Sequence, residues 1–193
     1  MSNENRERIL QAALTVLSRE GYENTSIKAI AEEAGVAQGL IHYYFKSKQQ
    51  LVVAALLVCL GEMKLDLAEA ADVPAAFDKL RRSLVEDAAF HRFFVEMIGV
   101  GLHDPQLGAG VLEFIKTERQ LAEQIGSRVT GGRLDATTLR SLAAVVWAAN
   151  LGIIVQNLID PDFDANAAVD ALTLMAGATL GQLTGAPAPA ATS

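Results

Sequence analysis

Apolar side chains recur at helical spacing along nearly the whole chain, and no stretch shows the regular alternation of a β-strand. The first such segment carries a single apolar stripe, made of Ile9, Leu10, Ala13, Leu14 and Leu17. Gly21 is expected to end this helix, since glycine is common just past a helix C-terminus. The chain is therefore predicted to be all-α from its beginning.

Two short helical segments follow. Ser26 is a predicted N-cap, and apolar residues at positions 27, 30, 31 and 34 give the second helix one inward face. Gly35 ends it. The third helix, predicted from Gln38 to Phe45, would pack on the second through Ile41 and Phe45, which lie four residues apart. Two short helices joined by a tight turn predict a helix-turn-helix unit.

The rest of the chain predicts longer helices. Ser47 and Gln50 form a capping box that starts the fourth helix, which is expected to run to about Ala71. Pro74 suits the first turn of the next helix. The further helices are predicted at 74–100, about 106–128, 136–159 and 164–184, with breaks at 101–105 and 130–135.

These elements predict an all-α fold of about nine helices in two domains. Residues 1–46 would form a three-helix domain, and residues 47–184 a larger helical domain. The remaining residues, 185–193, are rich in alanine and proline and are expected to be disordered.

The last two helices, 136–159 and 164–184, are apolar on almost every side. A helix without a polar face needs cover all round, and a chain of 193 residues can cover one side. We therefore expect a second copy of the chain on the other side, which predicts a homodimer through these two helices. The alternative is that both helices lie inside one large core.

Charge is distributed unevenly along the chain. The net charge is −7, but residues 1–50 hold six basic and six acidic groups, so the excess of acid lies in the remainder. A neutral first quarter permits contact with nucleic acid at that end. The sequence opens with polar and charged residues, and the longest uninterrupted apolar run, 51–60, is shorter than the ~20 residues of a membrane span. A cytoplasmic protein without membrane contact is expected.

The outward face of the third helix carries unusual chemistry for a protein surface. It presents Gln38, Gly39, Leu40, His42 and Tyr43, and none of these is charged at neutral pH if His42 is neutral. A glutamine amide can pair with an adenine edge, and a leucine can meet a thymine methyl group. Imidazole and phenol groups can donate to phosphate, while a glycine lets the backbone approach a ligand. This face predicts insertion into the major groove of DNA.

Residues 6–51 resemble the DNA-binding domain of the TetR family of bacterial transcriptional regulators. The resemblance rests on GYENTSIKAIAEEAGV followed by AQGLIHYYFKSKQQL, without a gap. Ala37 stands where the family often has serine, and the family more often has threonine or alanine at the position of Leu40. His42 and Tyr44 replace a common tyrosine and a common histidine. These departures concern the operator sequence rather than the fold.

The resemblance implies roles for individual residues. The groove would be lined by Gln38, Gly39, Leu40, His42 and Tyr43, and phosphate would be met by Thr25, Ser26 and Lys48. Helix N-termini favour anions on physical grounds as well. Ser26 has the simpler alternative of acting as a helix cap alone.

The resemblance also implies a repressor that binds an inverted-repeat operator as a homodimer and is released by a small-molecule inducer. No metal or other cofactor is expected. Candidate residues for the inducer pocket are apolar or amide side chains of the second domain: Met63, Phe90, Phe94, Met97, Phe114, Trp147 and Asn150. The apolar members could equally be ordinary core. Asn150 lies in the most apolar helix and needs a hydrogen-bond partner, from a ligand or across a dimer.

Two other classes of function compete with this prediction. An enzyme is disfavoured, because the three histidines are scattered and no nucleophile motif or phosphate-binding glycine loop occurs. A helical ligand carrier that keeps the helix-turn-helix only as structure would tolerate acidic residues at 38–43. The sequence has none there.

Overall fold

The computed structural model describes the backbone of residues 2–68 and 72–185, and the side chains of residues 4–59 and 72–185. Within these ranges the chain forms nine helices and no strand, which confirms the predicted all-α fold. They are α1 (Ser2–Asn24), α2 (Ile27–Ala34), α3 (Gln38–Tyr44), α4 (Lys48–Ala68), α5 (Val73–Glu86), α6 (Ala88–Gly101), α7 (Pro105–Val129), α8 (Ala136–Ile159) and α9 (Ala165–Thr184). The tail predicted to be disordered lies outside the described residues from position 186 onward.

Most predicted helix ends are found where the capping residues place them. The side chain of Ser26 accepts a hydrogen bond from Ala29 N at 3.0 Å. Gly35 ends α2 in the left-handed conformation, with φ of 63°. Ser47 Oγ accepts from Gln50 N at 3.1 Å, and Gln50 Oε1 accepts from Lys46 N at 3.2 Å. The capping box is therefore present, with its return bond one residue earlier than in the ideal motif.

One predicted helix is wrong. The segment 74–100 is two helices, because α5 ends at Glu86 and α6 begins at Ala88. Asp87 between them leaves the helical region, with φ of −112° and ψ of 22°. The sequence there has neither glycine nor proline, so no local signal marks the break. Pro74 lies in the first turn of α5, as predicted, and Asp72 caps that helix.

The chain divides into two compact units. The first comprises Met1–Glu62 and Ala89–Ile115, and the second comprises Met63–Ala88 and Lys116–Ser193. The domain boundary predicted between residues 46 and 47 remains a prediction. In the first unit α1, α2 and α3 pack together, and their largest fully buried side chains include Ile9, Leu10, Leu17, Ile30 and Ile41.

The second unit is built around α5, α8 and α9, which pack on one another. Its buried cluster consists of Phe77, Leu84, Ile153, Val169 and Leu172. At the surface, Arg81 on α5 forms an ion pair with Asp170 on α9, with 2.7 Å between nitrogen and oxygen.

Helix α8 is apolar on all sides, as the sequence predicts. It is long and apolar enough to cross a membrane by length and composition, and it is the one helix in the described residues that passes this test. By length and composition, α8 therefore resembles a membrane span more closely than the apolar run 51–60 does. Core helices of soluble proteins pass the same test.

Candidate nucleic-acid interface

The third helix is held to the first unit by its apolar side and leaves its polar side outside. Ile41 is fully buried and Phe45 is 4% exposed, so both anchor α3 as the sequence predicts. Arg6 of α1 lies over the Phe45 ring, with 5.5 Å from Cζ to the ring centroid. A helix of seven residues would not be stable alone, so these contacts position it.

The five side chains predicted to line the groove lie together on α3. Gln38, Gly39, His42 and Tyr43 are exposed, with Tyr43 at 78%, and Leu40 is half-buried. Tyr44 packs edge-on against Tyr43, with ring centroids 5.2 Å apart. The exposed surface therefore combines an amide, an imidazole, a phenol and a bare backbone.

Nothing in the packing of the described residues requires glycine at position 39. A Cβ added at this position would have no atom within 4 Å, and its φ lies outside the range that favours glycine. Glycine in a helix interior costs roughly 0.5–1 kcal/mol relative to alanine. The packing of the described residues therefore gives no reason for this cost.

The three predicted phosphate contacts differ in their surroundings. Ser26 is exposed, and its hydroxyl oxygen accepts from Ala29 N, so its own proton remains available for donation. Thr25 is buried at 3% exposure, and its hydroxyl donates to Gly21 O at 2.6 Å. A contact between Thr25 and phosphate would have to use its backbone.

Lys48 is half-buried at the start of α4. Its ammonium donates to the carbonyl oxygen of Tyr22 and lies over the Tyr22 ring, 4.2 Å from the centroid. Burial lowers the pKa of Lys48, and the negative charges of Glu23 and Glu96 act in the opposite direction. Lys48 thus joins the beginning of α4 to the end of α1. Within the described residues, its ammonium uses one N–H donor on Tyr22, so two N–H donors remain for another acceptor.

Glu96 of α6 makes a long-range contact near this surface that the sequence did not reveal. Its Oε1 atom accepts a hydrogen bond from Tyr22 N at 2.8 Å. Gly21, with φ of 75°, leaves the space that this carboxylate fills, because a Cβ at position 21 would lie 3.1 Å from Glu96 Oε2. Gly21, near the end of α1, is the one residue in the sequence that could have indicated this close approach, because glycine has no side chain.

The predicted pocket residues fall into two groups. Phe90, Phe94 and Phe114 pack together in the first unit, with 4.4 Å between the centroids of Phe94 and Phe114, and Met97 is buried there too. Trp147 and Asn150 line a cavity of about 220 Å³ in the second unit. The side chain of Met63 lies outside the described residues.

Comparison with known proteins finds a family that the first helices match. Residues 9–55 match the family of bacterial regulatory proteins described as the tetR family. The residues concerned are those that form α2, the turn and α3, together with most of α1 and the first turns of α4.

This segment is a tetR-family helix-turn-helix domain.

Relatives of the tetR-family segment are transcriptional regulators by name. The HTH-type transcriptional repressor KstR of Mycolicibacterium smegmatis is 49% identical over 53 residues, which cover 28% of this chain and 26% of that protein. The chain therefore matches about a quarter of the length of this relative. The HTH-type transcriptional regulator YhgD of Bacillus subtilis, described as uncharacterized, is 27% identical over 135 residues, or 68% of this chain and 71% of that protein.

A solved structure extends the likeness to the whole fold. GusR of Salmonella enterica superposes with a TM-score of 0.72 at 19% identity, over 94% of this chain and 96% of that chain. At this identity the likeness concerns the fold alone. The two chains therefore share an all-helical fold over nearly their whole length.

Proposed function

We propose that this protein is a transcriptional repressor that binds double-stranded DNA through α3. The observation that carries the proposal is the outward face of α3, where Gly39 and Tyr43 are exposed while Ile41 and Phe45 anchor the helix. No acidic side chain lies at positions 38–43, so no carboxylate there repels phosphate. The family match of residues 9–55 and the repressor relative support the same conclusion.

Within this proposal, contacts divide into those that position the protein and those that read bases. Gln38 and Leu40 would face base edges at the N-terminal end of α3, and Tyr43 and His42 would donate to phosphate. Ser26 and the N-terminus of α2 would bind the phosphate backbone. Lys48 would add a charge at the start of α4.

The proposed repressor acts as a homodimer through α8 and α9. Both helices leave large apolar side chains exposed in the single chain: Val145, Ile159, Leu174, Met175 and Leu183. Burial of such side chains supplies the free energy of association. A two-fold dimer would place two α3 helices about one DNA turn apart, ~34–36 Å, and would read an inverted repeat.

A small-molecule inducer would release this dimer from its operator. The inducer shifts the population towards dimers whose α3 spacing does not match the DNA, in proportion to its preference for that state. The protein would act in the cytoplasm, where its operator lies. The relatives are named as transcriptional regulators, so an enzymatic role is not proposed.

An electrophoretic mobility shift with fragments of the region beside its own gene tests DNA binding. The wild-type protein should shift at least one fragment, and the logarithm of its affinity should fall linearly with the logarithm of salt concentration. The variant Gln38→Glu should lose this binding, because it places a carboxylate on the groove face. Val85→Glu is the matched control, since Val85 is an exposed apolar residue on α5. Absence of salt-sensitive binding to any genomic fragment would overturn the proposal.

A further inference from the structure

The cavity in the second unit is lined mainly by apolar side chains and is partly open to the surface. Its walls come from α5, α7, α8 and α9 and include the buried residues Phe77, Leu121, Leu139 and Leu172. At about 220 Å³ it is larger than the ~150 Å³ engineered cavity that holds one benzene molecule. It can therefore hold a ligand of roughly ten non-hydrogen atoms.

The amide oxygen of Asn150, in this cavity wall, accepts no hydrogen bond within the described residues. Asn150 lies on α8 among apolar neighbours, and its Oδ1 atom is buried without a partner in the described residues. Such an atom costs on the order of 1–3 kcal/mol unless a donor reaches it.

The charges of the wall restrict what can bind. The lining contains one acidic residue, Glu118, and no lysine, arginine or histidine. A carboxylate or phosphate ligand would lose its hydration without gaining an opposite charge, which is strongly unfavourable. Anionic ligands are therefore disfavoured, whereas a ligand with an apolar body fits the wall.

The large apolar side chains on the proposed dimer faces do not meet the same requirement. Val145 and Met175, which are 66% and 65% exposed, line the cavity and belong to the faces of α8 and α9 proposed for the dimer. The other large apolar side chains exposed on these helices, Ile159, Leu174 and Leu183, are also aliphatic. None of these five can donate a hydrogen bond to Asn150.

We propose that this cavity binds a largely apolar small molecule without negative charge, whose hydroxyl or N–H group donates a hydrogen bond to Asn150 Oδ1. The inference rests on the proposed function in one respect, namely that this ligand is the inducer. Binding brings the ligand against Val145 and Met175 on the dimer faces. It therefore alters the packing of α8 and α9 that would set the spacing of the two α3 helices.

Trp147 gives a direct readout, since it is the single tryptophan of the chain and lines the cavity. Cyclohexylpropanol is a suitable probe, because it has an apolar body, one hydroxyl donor and no ultraviolet absorption. Its methyl ether lacks the donor, and cyclohexylpropanoate carries a negative charge. Each compound is titrated into DNA-free protein while Trp147 emission is recorded, with calorimetry as a second measurement.

The alcohol should change Trp147 emission saturably and bind about five-fold or more tightly than its ether, consistent with one net hydrogen bond. The carboxylate should give no saturable change. In Asn150→Leu the preference for the alcohol over the ether should disappear while the ether still binds. Gln156→Leu is the matched control, since it makes the same amide-to-leucine change on α8 outside the cavity lining, and it should keep the preference.

Three results would overturn the inference: equal affinity for alcohol and ether in the wild type, tighter binding of the carboxylate, or an unchanged preference in Asn150→Leu. If Asn150→Leu fails to fold, Ala122→Leu, which fills part of the cavity, replaces it and should weaken binding of the alcohol at least ten-fold. Light scattering of the same samples shows whether a second copy occupies the cavity instead. Dissociation of a dimer in step with alcohol binding, without a preference over the ether, would establish that alternative.

The DNA measurement separates this inference from the proposed function. A protein that shifts its operator but fails the alcohol test retains the proposed function and loses this inference. A protein that passes the alcohol test without binding DNA retains this inference and loses the proposed function. If the alcohol binds and also releases DNA, both stand.

Discussion

The backbone N–H of Tyr22 donates to the carboxylate of Glu96 at 2.8 Å, although 74 residues separate them in the chain. Lys48 donates to the carbonyl oxygen of the same residue, Tyr22. The end of α1 is therefore held on both sides of one residue, by α6 and by α4. This arrangement fixes the helix that supports α2 and α3.

Replacement of Glu96 tests how much this link stabilises the protein. Glu96→Ala should lower the free energy of unfolding by about 1–3 kcal/mol, because the Tyr22 N–H loses its acceptor in a largely buried place. Glu96→Gln keeps an acceptor oxygen and should cost less. Urea denaturation measures both, with Glu113→Ala on the exposed side of α7 as the control. Equal stability of Glu96→Ala and the control would contradict the assignment.

Gly39→Ala separates fold stability from DNA binding. Alanine should raise the free energy of unfolding by up to about 1 kcal/mol, since the added Cβ meets no atom within 4 Å and helices favour alanine. The same methyl group should weaken operator binding in a mobility shift, because it occupies the surface that approaches DNA. A stabilised protein with unchanged DNA affinity would mean that α3 does not approach DNA at Gly39.

Gly108 makes a close approach that should tolerate no side chain. A Cβ at this position would lie 2.5 Å from the carbonyl oxygen of Gly101, a backbone atom that cannot turn aside. Gly108→Ala should therefore lower the free energy of unfolding by about 1–3 kcal/mol. Gly99→Ala on the neighbouring α6 is the control, because a Cβ there has no atom within 4 Å. The two variants should move the urea midpoint in opposite directions.

Asp135 makes stability depend on pH. Hydrogen bonds from the Thr138 side chain first, and then from backbone N–H groups, lower the pKa of Asp135. A lowered pKa in the folded state means that the stabilisation is present above the unfolded value, about pH 3.9, and is lost as pH falls through the folded value. The stability difference between wild type and Asp135→Asn should therefore shrink in acid. Thr138→Val should reduce that pH dependence, and an unchanged dependence would contradict the cause.

Leu174 tests the predicted dimer face. It lies on α9, is 61% exposed in the single chain, and would be buried by a second copy. Leu174→Asp should convert a dimer to a monomer by light scattering at micromolar concentration, because a buried unpaired charge is costly. Leu102→Asp, at a leucine that is also exposed but lies after α6, should leave the dimer intact. A monomeric wild type would refute the dimer proposal itself.

Sequence predicted best those features that depend on nearby residues. Ser26, Gly35 and Ser47 each mark a helix end by side-chain or backbone geometry within three residues, and all three were found in place. The break at Asp87 was missed because it has no such marker. Long-range contacts were beyond reach for the same reason, since nothing near Glu96 indicates that its partner is Tyr22.

The candidate sites show the same limit. Helical spacing identified Ile41 and Phe45 as the buried side of α3, which left the opposite side as the surface. Spacing could not tell which buried residues surround a void, so Phe94 and Trp147 looked alike in the sequence. The structure puts Trp147 beside the cavity and packs Phe94 against Phe114. Thr25 was expected to meet phosphate, yet its hydroxyl is buried and donates to Gly21 O, a contact that the sequence pattern does not show.

Separate residues of α3 attach the helix and form its exposed surface, and this separation affects how such a protein can change over time. Its attachment rests on Ile41 and Phe45, while Gln38, His42 and Tyr43 contribute little to the core. Substitutions at the exposed positions therefore leave folding almost untouched. Under the proposed function, a lineage that keeps the two anchors could acquire a new operator through a few replacements, and a designer would have the same few positions to vary.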